Sequence, residues 1–223
     1  MRIVLPSGTP AELIEPSSGP AVRGLVLWPD IFGLRQLFVD HGRRLAERHR
    51  WTVCVVEPFP GEESLGLEQR HGRAGTLNDV DKVADSVAAA DACGVEPVGV
   101  LGFCMGGMYA MKSLAAPGRF DRAVAFYGMV RVPEAWRGGG QGDAIDVVRQ
   151  RGGADLLCLF GTEDPWCPLD QIDEVEAAGA VVVRYQGADH GWAHDPGRDN
   201  YRPEDAADGW ARAEAFLAGI TSP

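Results

Sequence analysis

The stretch Val98-Gly99-Val100-Leu101-Gly102-Phe103-Cys104-Met105-Gly106-Gly107 decides how the rest of this chain is read. An apolar, β-branched run leads into Gly-x-Cys-x-Gly, and a helix-compatible segment follows at once. A strand-to-helix turn tight enough to lift one side chain clear of a sheet forces that residue into strained dihedrals and crowds the positions two away on each side. Gly102 and Gly106 have no Cβ to clash there. The lifted residue is Cys104, where such turns usually hold serine. A helix starting at Met105 would aim free N–H groups and a positive dipole end at the sulfur, favouring thiolate and able to hold an oxyanion. The competing reading is a structural cysteine beside a glycine-rich helix start, because free cysteine is among the most buried residue types.

Outward from this turn, apolar runs bounded by turn residues recur at Arg23–Trp28, Thr52–Val56, Arg122–Tyr127, Asp155–Phe160 and Ala180–Tyr185. Runs apolar on both faces suit strands of a parallel sheet covered on both sides. Helical patterns fall between them at about Leu34–His49, Thr76–Ala92, Met105–Leu114, Pro168–Ala178 and Pro203–Ala218, and this alternation marks an α/β fold. Arg2–Leu5 and Ala11–Glu15, split by Ser-Gly-Thr-Pro, read as an antiparallel hairpin at one edge. The expected architecture is one α/β domain over residues 1–223: a mostly parallel, doubly wound sheet with that hairpin. Pro133–Gly153, with Arg137-Gly138-Gly139-Gly140-Gln141-Gly142, reads as a mobile excursion or partial lid, or as a plain surface loop.

Bulk composition narrows the function. The 223 residues suit one α/β core, and 32 acidic against 21 basic residues leave a net charge of −11, which opposes affinity for nucleic acid or anionic membranes. The N-terminal residues have no long apolar core of a signal peptide, and no run reaches the length of a membrane span. Five cysteines without framework spacing fit a reducing compartment, so a cytoplasmic protein is expected, a monomer or small homo-oligomer, with no cofactor. His190 and His194 lie four apart in a Gly/Asp/Pro-rich segment rather than on a helix, so no metal is expected.

If Cys104 attacks, it needs a base, and the base needs an orienting carboxylate. Gly161-Thr162-Glu163-Asp164-Pro165-Trp166 follows one strand, and Gly187-Ala188-Asp189-His190-Gly191-Trp192 follows the next. Nucleophile, acid and histidine thus come in the chain order of an α/β-hydrolase triad: Cys104, Asp164, His190. Glu163 and Asp189 compete for the acid, and Asp164 could instead cap a turn. Trp28-Pro29-Asp30-Ile31-Phe32-Gly33-Leu34 opens after an early strand, so the Ile31 amide can join that of Met105 in an oxyanion hole. Asp30 would face the sulfur, or cap the next helix.

Together these segments resemble the dienelactone hydrolase family of α/β-hydrolases, from about Leu25 to Phe216; Ala125-Phe126-Tyr127-Gly128, Tyr201 and Ala206-Ala207 add to the likeness. The resemblance implies Cys104 as nucleophile, His190 as base, Asp164 as its orienter, and Ile31 and Met105 as oxyanion donors. It implies hydrolysis of a small ester or lactone through an acyl-enzyme. Two positions depart from the family pattern. Asp30 stands where the dienelactone enzyme has a glutamate that holds the resting thiol, and His194 stands where it has an arginine for the substrate carboxylate. A second arginine is absent after Val55-Val56-Glu57-Pro58, leaving Arg70, His71 and Arg73 as other sources of charge. An imidazole does not replace a bidentate guanidinium, which argues against dienelactone itself as substrate. Phe32, Tyr127, Trp166, Trp192 and His194 are the expected substrate-pocket residues, with core packing as the alternative for the aromatics. The rival from another class is a non-catalytic small-molecule binder on a hydrolase scaffold. A nucleotide-binding oxidoreductase lacks its Gly-x-Gly-x-x-Gly.

Overall fold

The structure, a computed structural model, describes residues 1–220. Five strands that read as continuous apolar runs, β3 (Arg23–Trp28), β4 (Trp51–Val56), β5 (Val98–Phe103), β6 (Arg122–Phe126) and β7 (Leu156–Gly161), pair in parallel, and β8 (Val181–Tyr185) continues the ladder. The hairpin β1 (Arg2–Val4) and β2 (Pro10–Ile14) adds to β4 antiparallel, giving the order β1-β2-β4-β3-β5-β6-β7-β8. Side chains alternate between the faces of each strand. Val26 and Trp28 enter one core layer with α3 (Asp79–Cys93), α4 (Met105–Ser113), α5 (Ala144–Arg151) and α6 (Leu169–Ala177). Leu25 and Leu27 enter the other, against α1 (Gln36–His49) and α7 (Pro203–Leu217). Burial on both faces explains why these strands show no polar alternation.

The order of the central strands fixes where a site can form. β3 is followed in sequence by β4 on one side, whereas β5 lies on its other side, so the winding direction reverses between β3 and β5. At such a switch point the loops leaving two adjacent strands diverge and open a crevice at their carboxyl ends. Trp28 pairs with Gly102 at that end, so the Asp30 loop and Cys104 emerge side by side.

The structure corrects the expectation for Pro133–Gly153. That segment holds a 3-10 turn at Glu134–Trp136 and all of α5, whose Ala144, Ile145 and Val148 are buried. Two of its glycines serve close approach: a Cβ on Gly138 would strike the Gly75 carbonyl oxygen, and one on Gly140 would sit 3.0 Å from the Asn78 side chain. The Asp79 N–H donates to the Gly140 carbonyl, and Gln141 Nε2 donates to the carbonyls of Ala74 and Trp136. A further helix, α2 (Leu67–Ala74), was not anticipated from the sequence; it is short, and only Arg70 and Ala74 are buried in it. Among the described residues no helix is long and apolar enough to cross a membrane.

Candidate active site

Cys104 has φ +56° and ψ −122°, a region that L residues rarely occupy, and it caps the N-terminus of α4. The surroundings hold it there. Its N–H donates to the Phe126 carbonyl of β6 at 3.0 Å. A Cβ on Gly102 would collide with the Gly106 carbonyl, and a Cβ on Gly106 with the carbonyls of Trp28 and Pro29. All nine residues of α4 are buried, so its N-terminus points from a rigid core. Cys104 is partly exposed, whereas the other four cysteines are buried, and burial pushes Cys93 up to about 11, Cys167 up to about 12, and Cys54 and Cys158 higher still.

Asp164 and His190 come from the loops after β7 and β8. His190 Nδ1 and Asp164 Oδ2 are 2.8 Å apart, while Asp164 Oδ1 accepts the Trp166 N–H at 2.8 Å, so the acid both orients the ring and closes its own turn. Glu163 and Asp189 are exposed, and Asp189 accepts the His190 backbone N–H and, among the described residues, no other donor. Burial opposes charge on His190, but the Cys104 sulfur and then the Asp164 carboxylate outweigh it and hold the imidazole well above its ordinary value. Nε2 is buried without a hydrogen-bond partner, and the side chains of Cys104 and Cys167 lie against the imidazole and favour its charged form. Asp164, Cys167 and His190 each bring a donor atom within 4.8 Å of the others, the one grouping among the described residues with the spacing of metal ligands. Here Asp164 and His190 bond each other, and the Cys167 thiol donates to the Gly128 carbonyl.

Cys104 and His190 line one cavity of about 110 Å³ with Asp30, Ile31, Phe32 and Trp166. Among the described residues, neither the Ile31 nor the Met105 amide donates to an acceptor outside its own element, so both remain available to a substrate oxygen. The loop bearing Ile31 is tied down from below: Glu57 accepts the N–H groups of Leu34 and Phe59, and Arg70 donates to Glu57 and to the Ile31 carbonyl. Gly33, at φ +75°, lets that carboxylate approach, for its Cβ would lie 2.7 Å from both oxygens. Arg70 and Arg73 are therefore committed, to Glu57 and Glu62, and of the three residues considered as sources of charge only His71 reaches the cavity.

Of the expected pocket residues, Phe32 and Trp166 line the cavity, whereas Tyr127, Trp192 and His194 do not; all three are fully buried. Tyr127 Oη lies 2.5 Å from His194 Nδ1, and His194 Nε2 lies 2.8 Å from Asp30 Oδ2. Burial lowers the His194 pKa and raises that of Tyr127, so the phenol donates to Nδ1 and Nε2–H donates to Asp30. Burial opposes ionisation of Asp30, but His194 and then Arg35 hold its carboxyl below the usual range. Its other oxygen accepts the Phe32 N–H at 3.0 Å. Asp30 thus borders the cavity with its carboxylate engaged by three donors, and it does not cap α1, whose N-cap is Arg35.

Three lining residues, Leu67 of α2, Trp136 and Arg198, carry no signal for the pocket in the sequence, and His71 of α2 stands out there only as a source of charge. His71 Nδ1 accepts Trp136 Nε1–H at 3.0 Å, and His71 stacks on Trp166 with centroids 6.1 Å apart, so three segments build one aromatic wall. Arg198 lies against Gly191, where a Cβ would meet its guanidinium, with Cζ 6.0 Å from the Phe32 ring centroid. Among the described residues its guanidinium has no carboxylate partner, and a lone arginine in a Pro-Gly turn carries no periodic signal.

The model of the dienelactone hydrolase family matches residues 10–221. A Synechocystis sp. protein provisionally named carboxymethylenebutenolidase is 29% identical, covering 92% of this chain and 89% of that protein. A Bradyrhizobium sp. protein provisionally named 2-oxo-3-(5-oxofuran-2-ylidene)propanoate lactonase is also 29% identical, covering 93% and 88%. The crystal structure of a provisionally named dienelactone hydrolase from Klebsiella pneumoniae superposes with a TM-score of 0.85 at 23% identity, covering 98% of this chain and 97% of that one, a likeness of fold.

Proposed function

The chain belongs to the dienelactone hydrolase family and is a hydrolase of lactones and esters, and we propose that it works through a Cys104 nucleophile and an acyl-enzyme. The observation that carries this reading is the strained Cys104 at the N-terminus of α4, sharing a cavity with an imidazole whose far nitrogen is fixed by Asp164. The Cys104 thiol passes its proton to His190 Nε2 and the sulfur attacks the carbonyl carbon. The amides of Ile31 and Met105 hold the resulting oxyanion; one such donor is typically worth about 3–4 kcal/mol. Collapse breaks the carbonyl carbon–oxygen bond, His190 protonates the departing oxygen, and in a lactone that oxygen stays tethered as a hydroxyacyl thioester. His190 then takes a proton from water, hydroxide adds to the thioester, and the sulfur leaves and is reprotonated.

The cavity supports a small substrate with a flat apolar body, set by Phe32, Trp136 and Trp166, and an anionic substituent facing Arg198. In an apolar enclosure a guanidinium selects a carboxylate more strongly than it does in water. The test is turnover of p-nitrophenyl acetate and of simple lactones by wild type, Cys104→Ala and Cys167→Ala. Activity lost in the first variant and retained in the second supports the reading; equal turnover by wild type and Cys104→Ala ends it.

A further inference from the structure

On the side of the sheet away from α4, a cavity of about 380 Å³ opens between α1 and α7, against about 110 Å³ for the one holding Cys104. Small-molecule sites typically occupy roughly 300–1,000 Å³. Ala207 and Ala211, both exposed, leave the room for it on α7.

Its charge is unusual for this molecule. The chain carries a net −11, yet Arg44 and Arg48 line this cavity with a single carboxylate, Glu214, and His49 beside it draws on the same group. Arg44 is held rigid, its Cζ 4.3 Å from the Trp210 ring centroid, with Nη1 on Glu214. Its Nη2 is buried with no hydrogen-bond partner. Arg44 and Arg48 nevertheless keep 37% and 65% of their side chains exposed, so two cations face the opening against one buried carboxylate, and a ligand anion would meet both. Apolar surface from Trp210, Ala207 and Ala211 surrounds the cationic end.

We propose that this cavity is a second small-molecule site, which binds an aromatic carboxylate with its acid group on Arg44 and Arg48 and its ring over Ala207 and Ala211. The assignment does not depend on the reaction at Cys104. The two sites share a wall, since His194 lines this cavity while its ring holds Asp30 beside the other, and His41 Nε2 donates to the His194 carbonyl at 2.7 Å.

The test is calorimetric titration with 1-naphthoate, and with 1-naphthylmethanol as its neutral counterpart. The expected result is saturable binding with Kd below about 1 mM that persists when Arg198→Met removes the cation of the Cys104 cavity, and at least about tenfold weaker binding of the alcohol. Arg44→Met, which leaves Glu214 paired with Arg48 and His49, should weaken naphthoate by about tenfold, and Ala211→Leu, which fills the space and keeps the charges, should do the same. Arg198→Met, whose side chain lines the Cys104 cavity and not this one, should leave binding between α1 and α7 in place. Absence of saturation, binding indifferent to both α1–α7 variants, or loss with Arg198→Met overturns the assignment.

Discussion

His194 and Asp30, 164 positions apart in sequence, meet across 2.8 Å in the core and join the loop that carries the Ile31 amide to the loop that carries His190. The bond has a definite proton inventory, because Nδ1 of the neutral ring accepts the Tyr127 hydroxyl hydrogen and Nε2 carries the hydrogen donated to Asp30. Replacing His194 by Phe keeps the volume but leaves the Tyr127 hydroxyl and one lone pair of a buried carboxylate unpaired. The expected cost is about 3 kcal/mol, lowering Tm by roughly 6–12 °C. Thermal denaturation measures it. A Tm within about 2 °C of wild type would show that Arg35 alone satisfies Asp30.

Buried neutral histidines make the fold acid-sensitive. Burial first, and Arg44 further, bring His41 down to about 4, against the opposing pull of its bond to the His194 carbonyl and of Asp40; His194 moves in the same direction. Between pH 6.5 and about 4 the unfolded chain takes up a proton that native His41 refuses, so stability is complete above that window and falls with pH through it. The loss from His41 is on the order of 3 kcal/mol. Urea midpoints should therefore drop between about pH 7 and pH 4.5, and His41→Phe should flatten the drop.

Thiol chemistry should separate Cys104 from the rest. Cys54, Cys93, Cys158 and Cys167 are buried, and burial disfavours their thiolates, whereas Cys104 opens to the cavity. Iodoacetamide at neutral pH is expected to add one group to the native protein and five to the denatured one, read by intact mass. Peptide mapping that finds the first adduct elsewhere contradicts the assignment of Cys104 as nucleophile.

The proximity of Cys104, Asp164 and His190, the proposed triad, is legible in the sequence because each follows an apolar strand and sits in a turn with its own signature, and they need only the strand order to meet. Residues that meet by packing gave no such sign. Tyr127, Trp192 and His194 read as rim groups because aromatic identity does not reveal which way a loop side chain turns, and they lie in the core. Conversely, Trp136 and His71 reach the cavity from a short turn and a short helix whose apolar periodicity is too brief to register. The glycine run at 138–140 suggests looseness because composition cannot distinguish a flexible backbone from one in which Gly138 is pressed against Gly75 and Gly140 against Asn78.

That contact yields its own prediction. Gly138→Ala pushes a methyl into the Gly75 carbonyl and displaces the turn carrying Trp136. Overpacking of this kind costs about 1–3 kcal/mol. Because Trp136 forms a wall and touches no reacting atom, KM for a lactone should rise more than kcat falls. A kcat loss with unchanged KM would show that the segment supports the chemistry itself.

Arg198 offers the sharpest probe of the substrate. Its guanidinium occupies space that Gly191 alone leaves open, faces the cavity beside Cys104, and has no carboxylate partner among the described residues. An unpaired cation there attracts an anion and does nothing for a neutral ester. Arg198→Met preserves the length and apolar stem of the side chain and removes only the charge and its donors. For a lactone bearing a carboxylate, kcat/KM should fall about 10–100-fold, mostly through KM, while p-nitrophenyl acetate changes by less than about twofold. Parallel losses on both substrates would assign Arg198 to holding the loop of His190, and the anionic substrate class would have to be abandoned.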